Sequence, residues 1–279
     1  MAKKYFRSLL LMTLALSCLF VGYYSFFPDV SRLKKWRPPR TSFMEYRLQQ
    51  WEQKGIKKKI MQRWVSLPRI SPYVVKAVII AEDDKFWFHE GFDFEALQKA
   101  FLTDLKKRKF RVGGSTISQQ LVKNLYLSPA KNPLRKIKEA IITRRIEKTL
   151  SKKRIIELYL NVAEWGDGLF GIEAAARHYY GKAAADLTAA EAARLAAVLP
   201  NPLKYQPTGT SRYVEKRGEV IYRIMVKRGI VIPDYEAVMQ EPNETAADEV
   251  TPPIVPAERE QEVIPDEGAP ARTEPETGK

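Results

Sequence analysis

Residues Ser71 to Gly91 read SPYVVKAVIIAEDDKFWFHEG. Serine then proline is a common helix opening: serine takes the cap, and proline the first turn, where its missing N–H is not needed. The apolar run that follows ends on Glu82, Asp83 and Asp84. A helix C-terminus carries partial negative charge, so carboxylates are disfavoured there. Beside Phe86, Trp87, Phe88 and His89, that placement raises a carboxyl pKa and makes a usable general base. The plainer reading of the same residues is a polar helix end with solvated acids.

Helical punctuation continues outward from this stretch. Asp93 starts a helix through the basic KKRK run. Thr116 and Gln119 have capping-box spacing ahead of an apolar stretch to Leu127, and Thr188 and Glu191 repeat it before an Ala-rich helix that stops at Pro200. Asn132-Pro133 opens a segment with Ile137, Ile141, Ile142, Ile146 and Leu150 at helical spacing. Ser151 caps a helix ending near Leu160, and Gly229 closes the helix that follows Ser211. No run of alternating strands and no internal repeat is evident, so the fold class is mainly α over 71–230.

Upstream, no charge lies between Arg7 and Asp29, and residues 8–27 read SLLLMTLALSCLFVGYYSFF. About 20 apolar residues suffice to span a bilayer, with Tyr23, Tyr24, Phe26 and Phe27 at belt level. This predicts a transmembrane anchor at 8–27 with residues 1–7 cytoplasmic; a cleavable signal peptide competes, but no small-x-small site follows the apolar core. Basic residues flank both ends, so charge counting leaves the orientation open. Residues 28–70 form a Pro- and Arg-containing connector and a basic amphipathic, membrane-proximal segment. Phe43 to Val65 reads either as a helix docked on the body or as a surface against anionic lipid head groups. From Glu241 onward eleven acidic residues face three basic ones, and that −8 leaves +22 on the rest of a chain whose total is +14. Residues 240–279 read as a disordered acidic, Pro-rich tail. A body so basic attracts nucleic acid, anionic membrane or a phosphate-bearing substrate. With Cys18 as the single cysteine, no intramolecular disulfide forms, and no HExxH or paired-cysteine zinc pattern occurs.

Two more polar constellations follow Glu82. Gly113-Gly114-Ser115-Thr116 opens a helix whose first N–H groups are expected to be free for an anion, and Gln119, Gln120, Lys123 and Asn124 continue it. Gln120 and Lys123 share a helix face. The spacing is not that of a P-loop, and an ordinary glycine turn with a capping box fits equally well. Arg135-Lys136-Ile137-Lys138-Glu139 sets one acid among cations, which by itself is most simply a solvated face with i,i+4 pairs.

Taken together, EDDKFWFHEG at 82–91, GGSTISQQLVKN at 113–124, RKIKE at 135–139, LSKKRIIELYLN at 150–161 and AARLAAVLPNP at 192–202 resemble the peptidoglycan glycosyltransferase family. That family is the lysozyme-like domain of bifunctional penicillin-binding proteins and their monofunctional relatives. The resemblance covers about Ser71 to Pro207 in the family's order. It implies a lysozyme-like helical domain, outside the cytoplasmic membrane, that polymerises lipid II into linear glycan and releases undecaprenyl pyrophosphate with inversion. By position, Glu82 resembles the base that deprotonates the acceptor hydroxyl, and Glu139 the second acid on the donor side. Lys123, Arg135 and Lys136 would hold pyrophosphate. Ser115, Thr116, Gln119 and Gln120 would line the cleft with Gly114 and Asn124, and Asp83, Phe86 and His89 would shape the site. No cofactor is obligatory on this reading; Mg2+ or Mn2+ near Glu139 is the one ion it admits. Expected partners are lipid II, the growing glycan, the membrane and other cell-wall synthesis proteins, with no nucleic acid. Ser128 and Lys131 match SxxK, but no SDN or KTG partner follows, so the match reads as chance and the enzyme as monofunctional. The alternatives are a lysozyme-like lytic enzyme that cleaves glycan and a non-catalytic membrane-tethered scaffold.

Overall fold

The computed structural model describes residues 2–98, 114–127, 129 and 133–232. The helix read from Ser71 is α3, Pro72–Glu82. Ser71 holds the cap position without capping; its hydroxyl donates instead to the Leu187 carbonyl at 2.8 Å, which ties the start of α3 to a distant turn. Val74, Ala77 and Val78 of α3 are fully buried, each valine contributing roughly 1.5–3 kcal/mol.

The face they bury packs on α8, Ala189–Val198, and α9, Arg212–Lys227. Ala192, Ala193, Ala196 and Ala197 leave little bulk on α8, so its neighbours approach closely. The Thr188–Glu191 capping box forms as read, and α8 ends two residues before Pro200.

A second group comprises α4 (Ile117–Tyr126), α5 (Pro133–Thr149) and α6 (Lys152–Val162). The Thr116–Gln119 capping box and the Ser151 cap are both present. Helix α7, Ile172–Tyr180, completes the body. Residues 94–98 are helical after Asp93, which caps them by accepting from the Ala96 amide at 2.9 Å. The KKRK continuation, Gly113, Ser128, Lys131, Asn132 and the acidic tail lie outside the described residues.

One reading needs refinement and one correction. Beside the helices there are three short strands: Met61–Gln62 (β1), Glu164–Gly166 (β2) and Leu169–Phe170 (β3) form a sheet in the order β1-β3-β2, with β1 parallel and β2 antiparallel to β3. Pieces of two or three residues are too short for an alternating pattern to show. The segment Phe43–Val65 is not one amphipathic element. Its helix α2 is Ser42–Gln53, and the chain beyond extends into β1. Met44, Arg47 and Trp51 of α2 are buried, which is the docked arrangement. Arg47 makes two bonds to Glu164, at 2.9 and 2.7 Å, inside the fold. Trp51 lies over the β2–β3 turn, where Gly168 has φ +79 and a Cβ would fall 2.3 Å from the indole. Only glycine meets both conditions.

Helix α1, Ala2–Phe26, is long and apolar enough to cross a membrane, about 37 Å at 1.5 Å per residue. Its leucines are exposed all along its length. It touches the body at α5: Arg145 donates to the carbonyls of Tyr24 (3.2 Å) and Phe26 (2.7 Å), and the Lys138 ammonium lies 4.7 Å from the Tyr24 ring centre. The core also takes in Val30 and Leu33 just after the anchor.

Candidate active site

Glu82 is the last residue of α3. Its Oε2 accepts from Gln120 Nε2 at 2.8 Å. Its Oε1 is buried and makes no hydrogen bond among the described residues; the nearest cation is Arg217 Nη2, at 3.6 Å. Burial pushes the Glu82 carboxyl above its usual range, against the opposing pull of the Gln120 hydrogen bond and of Arg217 and Lys123. The direction matches the sequence reading, but burial is its first cause.

The next residue has the opposite fate. Asp83 points inward and accepts from the backbone amide of Ile117 at 2.9 Å and from His89 Nε2 at 2.8 Å. His89 Nδ1 accepts from the Gly91 amide at 3.0 Å, so Nε2 carries the ring proton and donates to Asp83. Phe86 is fully buried, its ring edge-on to His89. Asp83 and His89 thus use their polar groups inside the fold.

This arrangement narrows one expectation. Three N–H groups at the start of α4 are not free for an external anion: Thr116 N donates to Gln119 Oε1, Ile117 N to Asp83, and Gln119 N to Thr116 Oγ1. Asp83 is the anion that the α4 dipole holds. Thr116 Oγ1 also donates to the Gly91 carbonyl at 2.7 Å. Gly91 has φ +95, and a Cβ there would meet Thr143 Cγ2 at 2.9 Å and Glu147 Cγ at 3.0 Å.

A cleft of about 420 Å3 opens beside Glu82, lined also by Asp83, Ala96, Gly114, Ser115 and Thr116. Gln119 is buried in its capping box and does not line it. Asn124 is buried on α4 and hydrogen-bonds to no described residue of the site. The second cluster lies on α5, where buried Glu139 accepts from Arg135 Nη1 at 3.3 Å and from the Lys136 ammonium. Lys123, one turn after Gln120, has no hydrogen-bond or ion-pair partner among the described residues. Burial lowers its pKa, while Glu139 and Glu82 both pull it up, so it stands electrostatically between the two acids.

Residues 49–226 match the family model described as Transglycosylase. The chain belongs to the transglycosylase family. Relatives named "Biosynthetic peptidoglycan transglycosylase" include one from Nitrosospira multiformis, 44% identical over 228 residues, spanning 82% of this chain and 98% of the relative. Another, from Dechloromonas aromatica, is 50% identical over 184 residues, 66% of this chain and 80% of its own length. A third, from Aromatoleum aromaticum, is 50% identical over 194 residues, with coverage of 69% and 84%.

The structure adds residues to this transglycosylase site that sequence reading did not assign. Arg217 of α9 donates to the Ala81 carbonyl at 3.1 Å, beside Glu82. Tyr159 of α6 donates to Gln120. Glu147 accepts from Ser118 and from Lys152, whose ammonium lies 4.6 Å from the Phe86 ring centre. Tyr159 and Lys152 fall inside the LSKKRIIELYLN motif, a signal without a role attached. Arg217 lay in no motif.

Proposed function

We propose that this transglycosylase builds peptidoglycan by joining lipid-linked disaccharides, with Glu82 as the base. The observation that carries the reading is the Glu82 carboxylate: one oxygen is held by Gln120, and the other is buried at a cleft with no hydrogen bond. A buried acceptor without a partner is costly; the hydroxyl of an incoming sugar would supply the missing donor. Glu82 takes that proton, the hydroxyl oxygen attacks the anomeric carbon of the growing chain, and the bond from that carbon to the lipid pyrophosphate breaks with inversion.

Negative charge then develops on the departing pyrophosphate. Lys123, Arg135 and Lys136 would stabilise it as fixed cations, a role supported by Lys123 having no competing partner among the described residues. With the Ile117 amide taken by Asp83, most of this task would fall to side chains. A lipid-borne substrate fits a chain whose apolar α1 seats on α5, the helix that carries Arg135, Lys136 and Glu139. The body belongs on the outer face of the cytoplasmic membrane, where glycan is assembled, with α1 as a single-pass anchor. Coverage of nearly the whole Nitrosospira relative supports the monofunctional reading.

The residues around Glu139 do not make a cation site by themselves. Among the described residues no three His, Cys, Asp or Glu side chains converge on one point, and Glu139 is already paired with two cations.

The test incubates the detergent-solubilised full chain with labelled lipid II, with and without Mg2+ or Mn2+, and resolves products by size. Lysozyme-sensitive polymer supports the reading. Cleavage of preformed glycan without polymer would favour a lytic enzyme, and neither activity a scaffold.

A further inference from the structure

Tyr159 does not face the cleft. It is 1% exposed on α6, and its hydroxyl lies 3.0 Å from Gln120 Oε1, while Gln120 Nε2 lies 2.8 Å from Glu82 Oε2. An amide can rotate by half a turn and exchange its oxygen for its nitrogen. In one orientation it gives Glu82 a donor. In the other it sets a carbonyl oxygen against an ionised carboxylate, acceptor facing acceptor, and opposes the charge. The carboxylate that benefits cannot be the only element fixing the choice, because it changes state when it takes a proton. Tyr159 does not change. Burial pushes its hydroxyl far above any working pH, so it remains a donor throughout. A permanent donor at Oε1 keeps the amide nitrogen turned toward Glu82.

The geometry points to Tyr159 as a positioning residue: its hydroxyl locks the Gln120 amide so that Gln120 holds one oxygen of the Glu82 carboxylate and leaves the other without a hydrogen bond, as acceptor for the incoming hydroxyl. This inference rests on Glu82 being the base. Tyr159→Phe keeps the ring and its packing and removes only the lock. The amide then samples both orientations, ionised Glu82 loses part of its support, and a lower proton concentration is needed to keep the base free.

The experiment measures kcat/KM against pH for lipid II polymerisation by the full chain, in its wild-type, Tyr159→Phe, Gln120→Met and doubly substituted forms, with thermal melts as a fold control. The acid limb reports the base in the free enzyme. A lost hydrogen bond to a charged group moves it upward by about 1 pH unit. Tyr159→Phe should shift the limb in that sense and recover most of its rate at high pH. In the Gln120→Met background, whose own limb should also move up, Tyr159→Phe should add nothing. An unmoved limb in a Tyr159→Phe protein that melts like wild type would overturn the assignment, as would an undiminished Tyr159 effect without Gln120. If Tyr159→Phe fails to fold, an unmoved limb in Gln120→Met overturns it instead. The base reading fails separately: polymerisation by Glu82→Gln would remove it, whereas an inactive Glu82→Gln beside an unshifted Tyr159→Phe would remove only the lock.

Discussion

Asp83→Asn perturbs the join between the base and the GGST segment. Asp83 places two carboxylate oxygens against two donors, the Ile117 amide at 2.9 Å and His89 Nε2 at 2.8 Å, with almost no solvent access. Asparagine keeps one oxygen and turns an NH2 toward one of those donors, so one buried N–H loses its acceptor. Such an orphan costs about 1–3 kcal/mol. At about 2–4 °C per kcal/mol for a domain of this size, the midpoint should fall by about 4–8 °C for a loss near 2 kcal/mol. Activity should fall further than stability alone explains, because Ile117 starts the helix that carries Gln120 and Lys123. Small displacements of aligned groups cost on the order of 100-fold. The neighbouring carboxylate is the control. Asp84 is likewise paired, to Arg228 at 2.6 and 2.8 Å, but its side chain is half exposed. Asp84→Asn should therefore cost less than about 1 kcal/mol. Scanning calorimetry and polymerisation rates on the three proteins decide the matter. Equal melting points for Asp83→Asn and wild type, or equal losses in the two variants, would refute the placement of Asp83 as the internal anion of α4.

Because burial raises the Glu82 carboxyl, the polymerisation rate should fall with decreasing pH at a value above the ordinary carboxylate range; an acid limb near that of a free glutamate would contradict it. The same shift means the folded state binds this proton more tightly, so the stability it confers is present at low pH and lost as pH rises through the folded value. Glu82→Gln should then melt no lower than wild type at neutral pH, and a lower midpoint there would refute the burial argument. Lys123→Met should lower kcat/KM by about 10- to 100-fold through a lost charge-assisted contact to pyrophosphate, and an unchanged value would remove Lys123 from the donor side. Gly91→Ala should lower the midpoint by several degrees, since the left-handed backbone and the contacts to Thr143 and Glu147 both oppose a Cβ; an unchanged melt would show that neither matters.

What the sequence disclosed was what local spacing encodes. The Thr116–Gln119 and Thr188–Glu191 boxes, the Ser151 cap, the opening at Pro133 and the stop before Pro200 all involve residues within a few positions of each other. The site motifs were visible for a related reason: each is a short run, and only their common resemblance joined them. Contacts closed by the tertiary fold were not legible. Nothing in EDDKFWFHEG says that Asp83 caps α4, that Arg217 reaches the end of α3 from α9, or that Tyr159 supports Gln120 from α6. The strands escaped because they are set by pairing across the hairpin and by the Arg47–Glu164 bond beneath it, not by their own composition. The free-amide reading was too broad at Thr116, Ile117 and Gln119, because Asp83 from another element and the capping-box side chains already hold those groups.

The most direct measurement compares wild type with Glu82→Gln for polymerisation of labelled lipid II, after matched melting curves show both proteins folded. A folded Glu82→Gln that makes no polymer while still binding lipid II is the result predicted for a base whose Oε1 receives the acceptor proton. Polymer from Glu82→Gln at a rate near wild type would contradict that role and return the chemistry to another group in the cleft.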